Sequence, residues 1–257
     1  MGYKESGVLL LSFLIPLGCA TISSEKKSLH PDLSGVYFPI PPPGLFNADP
    51  AREGRELGVS YPKKAPVLTP KYMERWREIS KSRKEGSYLT DYAAQCLPKG
   101  MPAMMLSIYG LEFMQTDNKI TVYSAINDSY RRIYLDGRKP LQRHLDDPTY
   151  AGYSTGHWEG DTLIVDTVAI GAHTYVDSLG GSIPHSEQMT VRERIRLVEP
   201  TKLEVNITVT DPIAFEKNPY EITYPYRKMS AEDRKDELRE AACPEGLAIE
   251  KYGSNWK

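Results

Sequence analysis

Cysteine is scarce in this sequence, three in 257 residues, too few for a small disulfide-stapled scaffold and none in the Cys/His spacing of a zinc knuckle. An excess of one charge is missing as well. Lys and Arg number 32 against 34 Asp and Glu, a formal net charge of -2, so nothing is available to neutralise a phosphate backbone, and nucleic acid is not an expected partner. Signatures of several chemistries are absent. There is no G-x-S-x-G elbow, and the glycine-rich stretches at 152–156 and 179–182 lack the lysine of a P-loop or the strand-to-helix setting of a dinucleotide site. Serine-nucleophile hydrolysis and nucleotide chemistry are therefore disfavoured, and no cofactor is expected. Phenylalanine is rare, five residues beside 17 tyrosines, with 20 prolines and 19 glycines. That balance suits many turns, and strands that bury a ring while its hydroxyl finds a polar partner. With 40% hydrophobic and 26% charged residues, the chain reads as one globular domain.

The first thirty residues are organised differently. The apolar run from Gly7 to Cys19 follows a short polar end carrying Lys4; it is too short to span a bilayer and suits a secretory signal. Its end, Ile15-Pro16-Leu17-Gly18-Cys19, resembles a bacterial lipobox, in which Cys19 is lipidated and becomes the mature N-terminus; the alternative is an ordinary secretory signal cut nearby. Expected boundaries follow: a signal peptide over 1–18, a polar tether over 19–30, and a single β-rich domain over 31–257. Within that domain, 31–95 is a loop and helix arm, 96–228 the β core, and 229–257 a C-terminal helix and tail. Ala20 after the cysteine points to the outer membrane, so the expected location is the bacterial periplasm, with membrane contact through the lipid anchor. Cys96 and Cys243 then remain, either as a disulfide or as two separate buried thiols.

Prolines at 39, 41, 42, 43, 50, 62, 66 and 70 remove backbone donors too often for regular structure, so Leu33 to Pro70 reads as loop. Thr69-Pro70 followed by apolar Tyr72, Met73, Trp76 and Ile79 predicts an amphipathic helix, and a short second helix is expected over Leu89 to Gln95. Beyond Cys96 the period becomes two: Ile120, Val122, Ser124 and Ile126 share one face, as do Leu203, Val205, Ile207 and Val209. Residues 189–198 and 202–210 read as a hairpin across Glu199-Pro200-Thr201, and further strands are expected near 106–115, 130–135, 162–170 and 220–226. About seven antiparallel strands predict a barrel or sandwich, a lipocalin-like cup with a few peripheral helices. A capping-box pattern at Ser230-Ala231-Glu232-Asp233 opens a last helix to about Ala242.

Strand parity supplies the first candidate site residues. Glu193 falls on the apolar face of Met189, Val191, Ile195 and Leu197, and Asp166 is read with Ile164, Val168 and Ile170. A carboxylate aimed at a core needs a cation or a proton, so each is either half of an ion pair with Arg131, Arg132 or Arg138, or a cavity acid or base. Histidine supplies the second. His157, His173 and His185 crowd one stretch with Asp161, Asp166, Asp177 and Glu187; without an HxH or HExxH pairing this favours proton transfer over a metal. Met101, Met104 and Met105 can line an apolar pocket or simply pack a core.

These residues resemble motifs of a large, mostly uncharacterised family of secreted bacterial proteins. The shared pieces are Cys96-Leu97-Pro98-Lys99-Gly100-Met101-Pro102, Asp136-Gly137-Arg138, the run from Trp158 to Thr167, His185-Ser186-Glu187, Glu193-Arg194, Asp211-Pro212 and a late Cys243. Tyr153 stands where the family commonly has His. The resemblance implies one secreted β-rich domain and no particular reaction. The leading expectation is a cofactor-independent acid–base enzyme of lyase, isomerase or cyclase type, acting on a small, largely apolar molecule in a barrel cavity. In it His185 is the base, Glu187 its orienting partner, and Asp166 or Glu193 the acid. Tyr153 and Arg138 donate to developing oxyanion charge, with His157, His173 and Met104 also lining the substrate. The alternatives are a non-catalytic lipoprotein that binds a hydrophobic ligand, and an envelope protein that docks through its Pro-rich arm.

Overall fold

The computed structural model describes residue 2 and residues 29–40, 65–85, 87, 95–106, 110–125, 127, 129–177, 182–230, 232 and 238. Alternating residues build nine strands: β1 (Gly35–Pro39), β2 (Leu111–Gln115), β3 (Lys119–Ser124), β4 (Ser129–Tyr134), β5 (Tyr153–Glu159), β6 (Thr162–Val168), β7 (Thr190–Glu199), β8 (Lys202–Thr210) and β9 (Tyr220–Lys228). Each pairs with the next, and β9 pairs back onto β1, so the sheet closes into a barrel with no free edge. The expected mainly β barrel is thus the observed fold. Every neighbouring pair is antiparallel except β4 and β5, which are parallel. Residues 135–152, with the short helix α2 (Gln142–Asp146), carry the chain from one end of the barrel to the other between them.

Two strands depart from the sequence reading. Strand β1 lies in the stretch taken for loop: Val36 and Tyr37 are buried and Tyr37 pairs with Leu111, so proline density around it does not prevent pairing along the five residues that close the barrel. Strand β5 was not anticipated, because its Tyr-Ser-Thr-Gly-His-Trp-Glu sequence has glycine where a branched residue would mark a strand. A Cβ at Gly156 would stand 2.9 Å from Ile133 Cγ2, so glycine leaves room for the side chain of the parallel neighbour. Nine strands therefore replace about seven. The expected helices over 89–95 and 230–242 fall largely outside the described residues.

The two ends of the barrel differ. Tight turns at 116–118, 160–161 and 200–201 join strands at one end. At the other lie the 169–189 and 211–219 connections and the helix α1 (Pro70–Lys84). Thr69 does not cap α1 with its side chain; its hydroxyl donates to Ile213 O at 3.1 Å and its amide to Ala214 O at 2.9 Å. These bonds fix the first turn of the helix over that mouth.

Inside, Leu203, Val205, Ile207 and Val209 of β8 face Val191 and Ile195 of β7, Leu163 and Val165 of β6, and Ile120 and Val122 of β3, all fully or almost fully buried. Each such side chain contributes on the order of 1.5–3 kcal/mol. The barrel is also filled by its own chain. Residues Met101 to Leu106 are buried throughout; Met101 Sδ lies 3.2 Å from Arg131 Nη1, and Met105 O accepts a hydrogen bond from the Tyr226 hydroxyl. Arg131 and Tyr226 both project inward, so this turn (3-10 over Ala103–Leu106) plugs the interior from the mouth beside α1. Gly100 makes the entry possible. Its φ is +72°, and a Cβ there would lie 2.4 Å from Thr174 Cγ2 and 2.8 Å from Tyr150 O.

Candidate functional site

Directly paired residues on neighbouring strands share a face, and this rule sorts the two core carboxylates. Glu193 pairs with Val165 and Ile207, both inward, so it enters the barrel as parity predicts. There it is fully buried and forms a two-pronged ion pair with the equally buried Arg131 of β4, at 3.0 Å and 2.7 Å. Arg131 also donates to Ser154 Oγ at 3.1 Å and lies 3.4 Å from Thr167 Oγ1, while those two hydroxyls meet at 2.9 Å. Glu193 is thus one half of the internal ion pair offered as an alternative to a cavity acid.

Asp166 requires a correction. It pairs with Arg192, one residue off the inward position, and stands on the outer face in a partly exposed salt bridge at 2.7 Å. Strand β6 carries Leu163, Ile164 and Val165 in succession, all buried, so hydrophobicity alone left its parity ambiguous. Only the register with β7 resolves it.

His185 lies elsewhere, in the connection between β6 and β7. Its ring is fully buried. Nδ1 lies 2.9 Å from the Ser186 carbonyl, which can only accept, so Nδ1 carries the proton and Nε2 accepts from the Thr174 hydroxyl at 2.8 Å. Burial lowers its pKa from 6.5 to about 4. Glu187 is exposed and is not its partner. Next to the ring, Asp211 accepts from Ser186 N at 2.6 Å, Ser186 Oγ at 2.8 Å, Ala214 N at 2.8 Å and Ile213 N at 3.0 Å. Asp211 therefore ties the β6–β7 and β8–β9 connections together under α1, and His185 braces the first of them from Thr174 to Ser186. Reasoning from sequence missed Thr174, singled out Asp211 only as a motif residue without a role, and did not choose Arg131 over its neighbour Arg132.

The imidazole gives a pH dependence with a definite sign. An unfolded chain protonates His185 near 6.5 and the fold only near 4, so its contribution to stability is complete above about pH 6.5 and is lost as pH falls towards 4. The contribution is roughly 3 kcal/mol. His185→Asn should therefore lose stability less steeply than the wild type across that window in urea unfolding. Equal slopes would mean that His185 titrates as an exposed imidazole does.

The remaining candidates are dispersed. Tyr153 points outward and stacks on His144, ring centres 4.6 Å apart, beside Tyr134. Arg138 lies over Tyr134 and is paired with Asp136. His157 is exposed near Glu159, and His173 is exposed against Tyr150. Met104 belongs to the plug. His173 lies near enough to His185 to act on its charge, but among the described residues no group of three or more His, Cys, Asp or Glu is placed to hold a metal ion. Cys96 is disulfide-bonded, and its partner lies outside the described residues.

The interior also carries polar atoms with no partner among the described residues. Arg131 Nε, the Tyr224 hydroxyl and Ser124 Oγ are buried and unpaired among the described residues. Tyr224 pairs with inward Val205 and Ser124 with inward Leu111, so all three project from the wall of the barrel.

No known family's sequence profile matches the chain, and no curated protein matches it. Among solved structures, a point mutant of the fluorescent protein UnaG is similar at 15% identity, over 47% of this chain and 71% of that one, with a TM-score of 0.28. The barrel is established by its own strand pairing, not by this likeness.

Proposed function

We propose that this chain is a small-molecule-binding β-barrel whose site is the interior around Arg131, Tyr224 and the Met101–Leu106 plug. The observation that carries the reading is the set of buried, unpartnered interior atoms, Arg131 Nε, Tyr224 OH and Ser124 Oγ. Each unsatisfied buried donor costs about 1–3 kcal/mol. A core serving stability alone would do better with Phe at 224 and Ala at 124, so a bound molecule accounts for these groups where packing does not. Methionines in the plug suit such a role, since unbranched thioether side chains repack at little cost when a guest enters. Binding is favoured over acid–base catalysis because the acid–base candidates do not meet: Glu193 is inside and neutralised by Arg131, Asp166 is outside, and His185 is closed off beneath α1. From its motifs we further propose that the protein belongs to the secreted bacterial family they resemble and is anchored in the periplasm through Cys19.

Nile red, an uncharged apolar dye that bears a carbonyl, tests the reading. Titration should give saturable, blue-shifted emission at one dye per chain. Emission that rises linearly with dye, without saturation, would contradict an interior site.

A further inference from the structure

We infer that the barrel selects an uncharged apolar molecule carrying a carbonyl, and discriminates against the corresponding carboxylate. This inference rests on the binding reading and adds the chemistry of the ligand head. All three unpartnered interior atoms can donate: Arg131 Nε–H only donates, and the Tyr224 and Ser124 hydroxyls donate or accept. The interior therefore offers hydrogen bonds to an oxygen acceptor. Two further donors already use the plug in that way, since Tyr226 donates to the Met105 carbonyl and Arg131 Nη1 points at Met101 Sδ. A thioether is a weak acceptor for a buried guanidinium, so a carbonyl oxygen entering beside Met101 would improve on it.

Charge decides which oxygen. Among the described residues Arg131 is the one Lys or Arg that is fully or nearly fully buried, and Glu193 neutralises it through both carboxylate oxygens. No net positive charge is left to receive an anion. A second carboxylate there would have to lose its water without a cation of its own, next to an existing negative charge, which is strongly unfavourable. A ketone, ester or similar neutral carbonyl accepts the same hydrogen bonds without that penalty.

Displacement of bound Nile red by undecan-2-one, undecanoate and undecane separates the possibilities. Undecan-2-one should compete best, about 3- to 10-fold more tightly than undecane for one hydrogen bond gained, and at least about 10-fold more tightly than undecanoate. Tyr224→Phe removes a hydroxyl that has no partner among the described residues, so the variant should melt no lower than the wild type. Its affinity for the ketone should fall about 3- to 10-fold while that for undecane stays unchanged. Glu193→Gln leaves Arg131 uncompensated and, where it folds, should raise the affinity for undecanoate at least about 10-fold. Undecanoate binding the wild type as tightly as the ketone, or Tyr224→Phe binding the ketone unimpaired, would overturn the inference and leave the binding reading standing. Failure of Nile red itself to bind would overturn both.

Discussion

Arg131→Met should lower the unfolding free energy by about 3–5 kcal/mol, and adding Glu193→Leu to it should restore most of the loss. The single change strands a carboxylate that is fully buried and bonded to Arg131 at 3.0 Å and 2.7 Å. The double change removes both charges and leaves apolar side chains among Val122, Val165 and Ile207, their partners across the sheet. Urea unfolding of both single variants and the double variant gives the coupling directly. Losses that simply add would mean that the two side chains act independently, against the geometry.

The second large effect concerns Cys96. This residue is disulfide-bonded and adopts φ +63° at the foot of the plug, five residues before Met101. Cys96→Ser should cost about 2–5 kcal/mol, the usual worth of a native disulfide. We propose Cys243 as its partner, the remaining thiol once Cys19 carries lipid. Cys243→Ser should then reproduce the loss, the double variant should lose no more than either single one, and denatured, unreduced protein should show no thiol from this pair. Two free thiols per chain would rule the bridge out.

How much of this was legible in the sequence depends on which physical signal each residue carries. Strands β7 and β8 alternate cleanly, and their hairpin, the inward position of Glu193 and the barrel class follow from period two alone. Helix α1 begins at Pro70 as its Thr-Pro start indicates. Asp166 was misplaced because three successive apolar residues in β6 fit either face, and only pairing with β7 chooses between them. Strands β1 and β5 carried too much proline or glycine to show a period. Arg131 was hidden for a related reason: it sits beside Arg132, and which of two adjacent arginines turns inward depends on the register against Val122. The plug was legible only in part: its methionines read as pocket or core, but nothing in Met101–Leu106 distinguishes a turn that packs inside a barrel from one that packs on its surface. His185 illustrates the opposite failure. Its acidic neighbourhood in sequence suggested proton transfer, whereas its contacts in space are Thr174 and a backbone carbonyl, and burial keeps it neutral.

We propose that the barrel interior, with its methionine plug, receives a neutral apolar guest. Methyl-labelled methionine NMR during titration with undecan-2-one tests this most directly. Met101, Met104 and Met105 line the plug and are buried, whereas Met114 is 43% exposed on the outer face, so it provides an internal reference. Saturable shifts are expected for the three plug methyls, with Met114 unmoved. Shifts confined to Met114, or no shift at ketone concentrations that displace Nile red, would place the guest outside the barrel and contradict it.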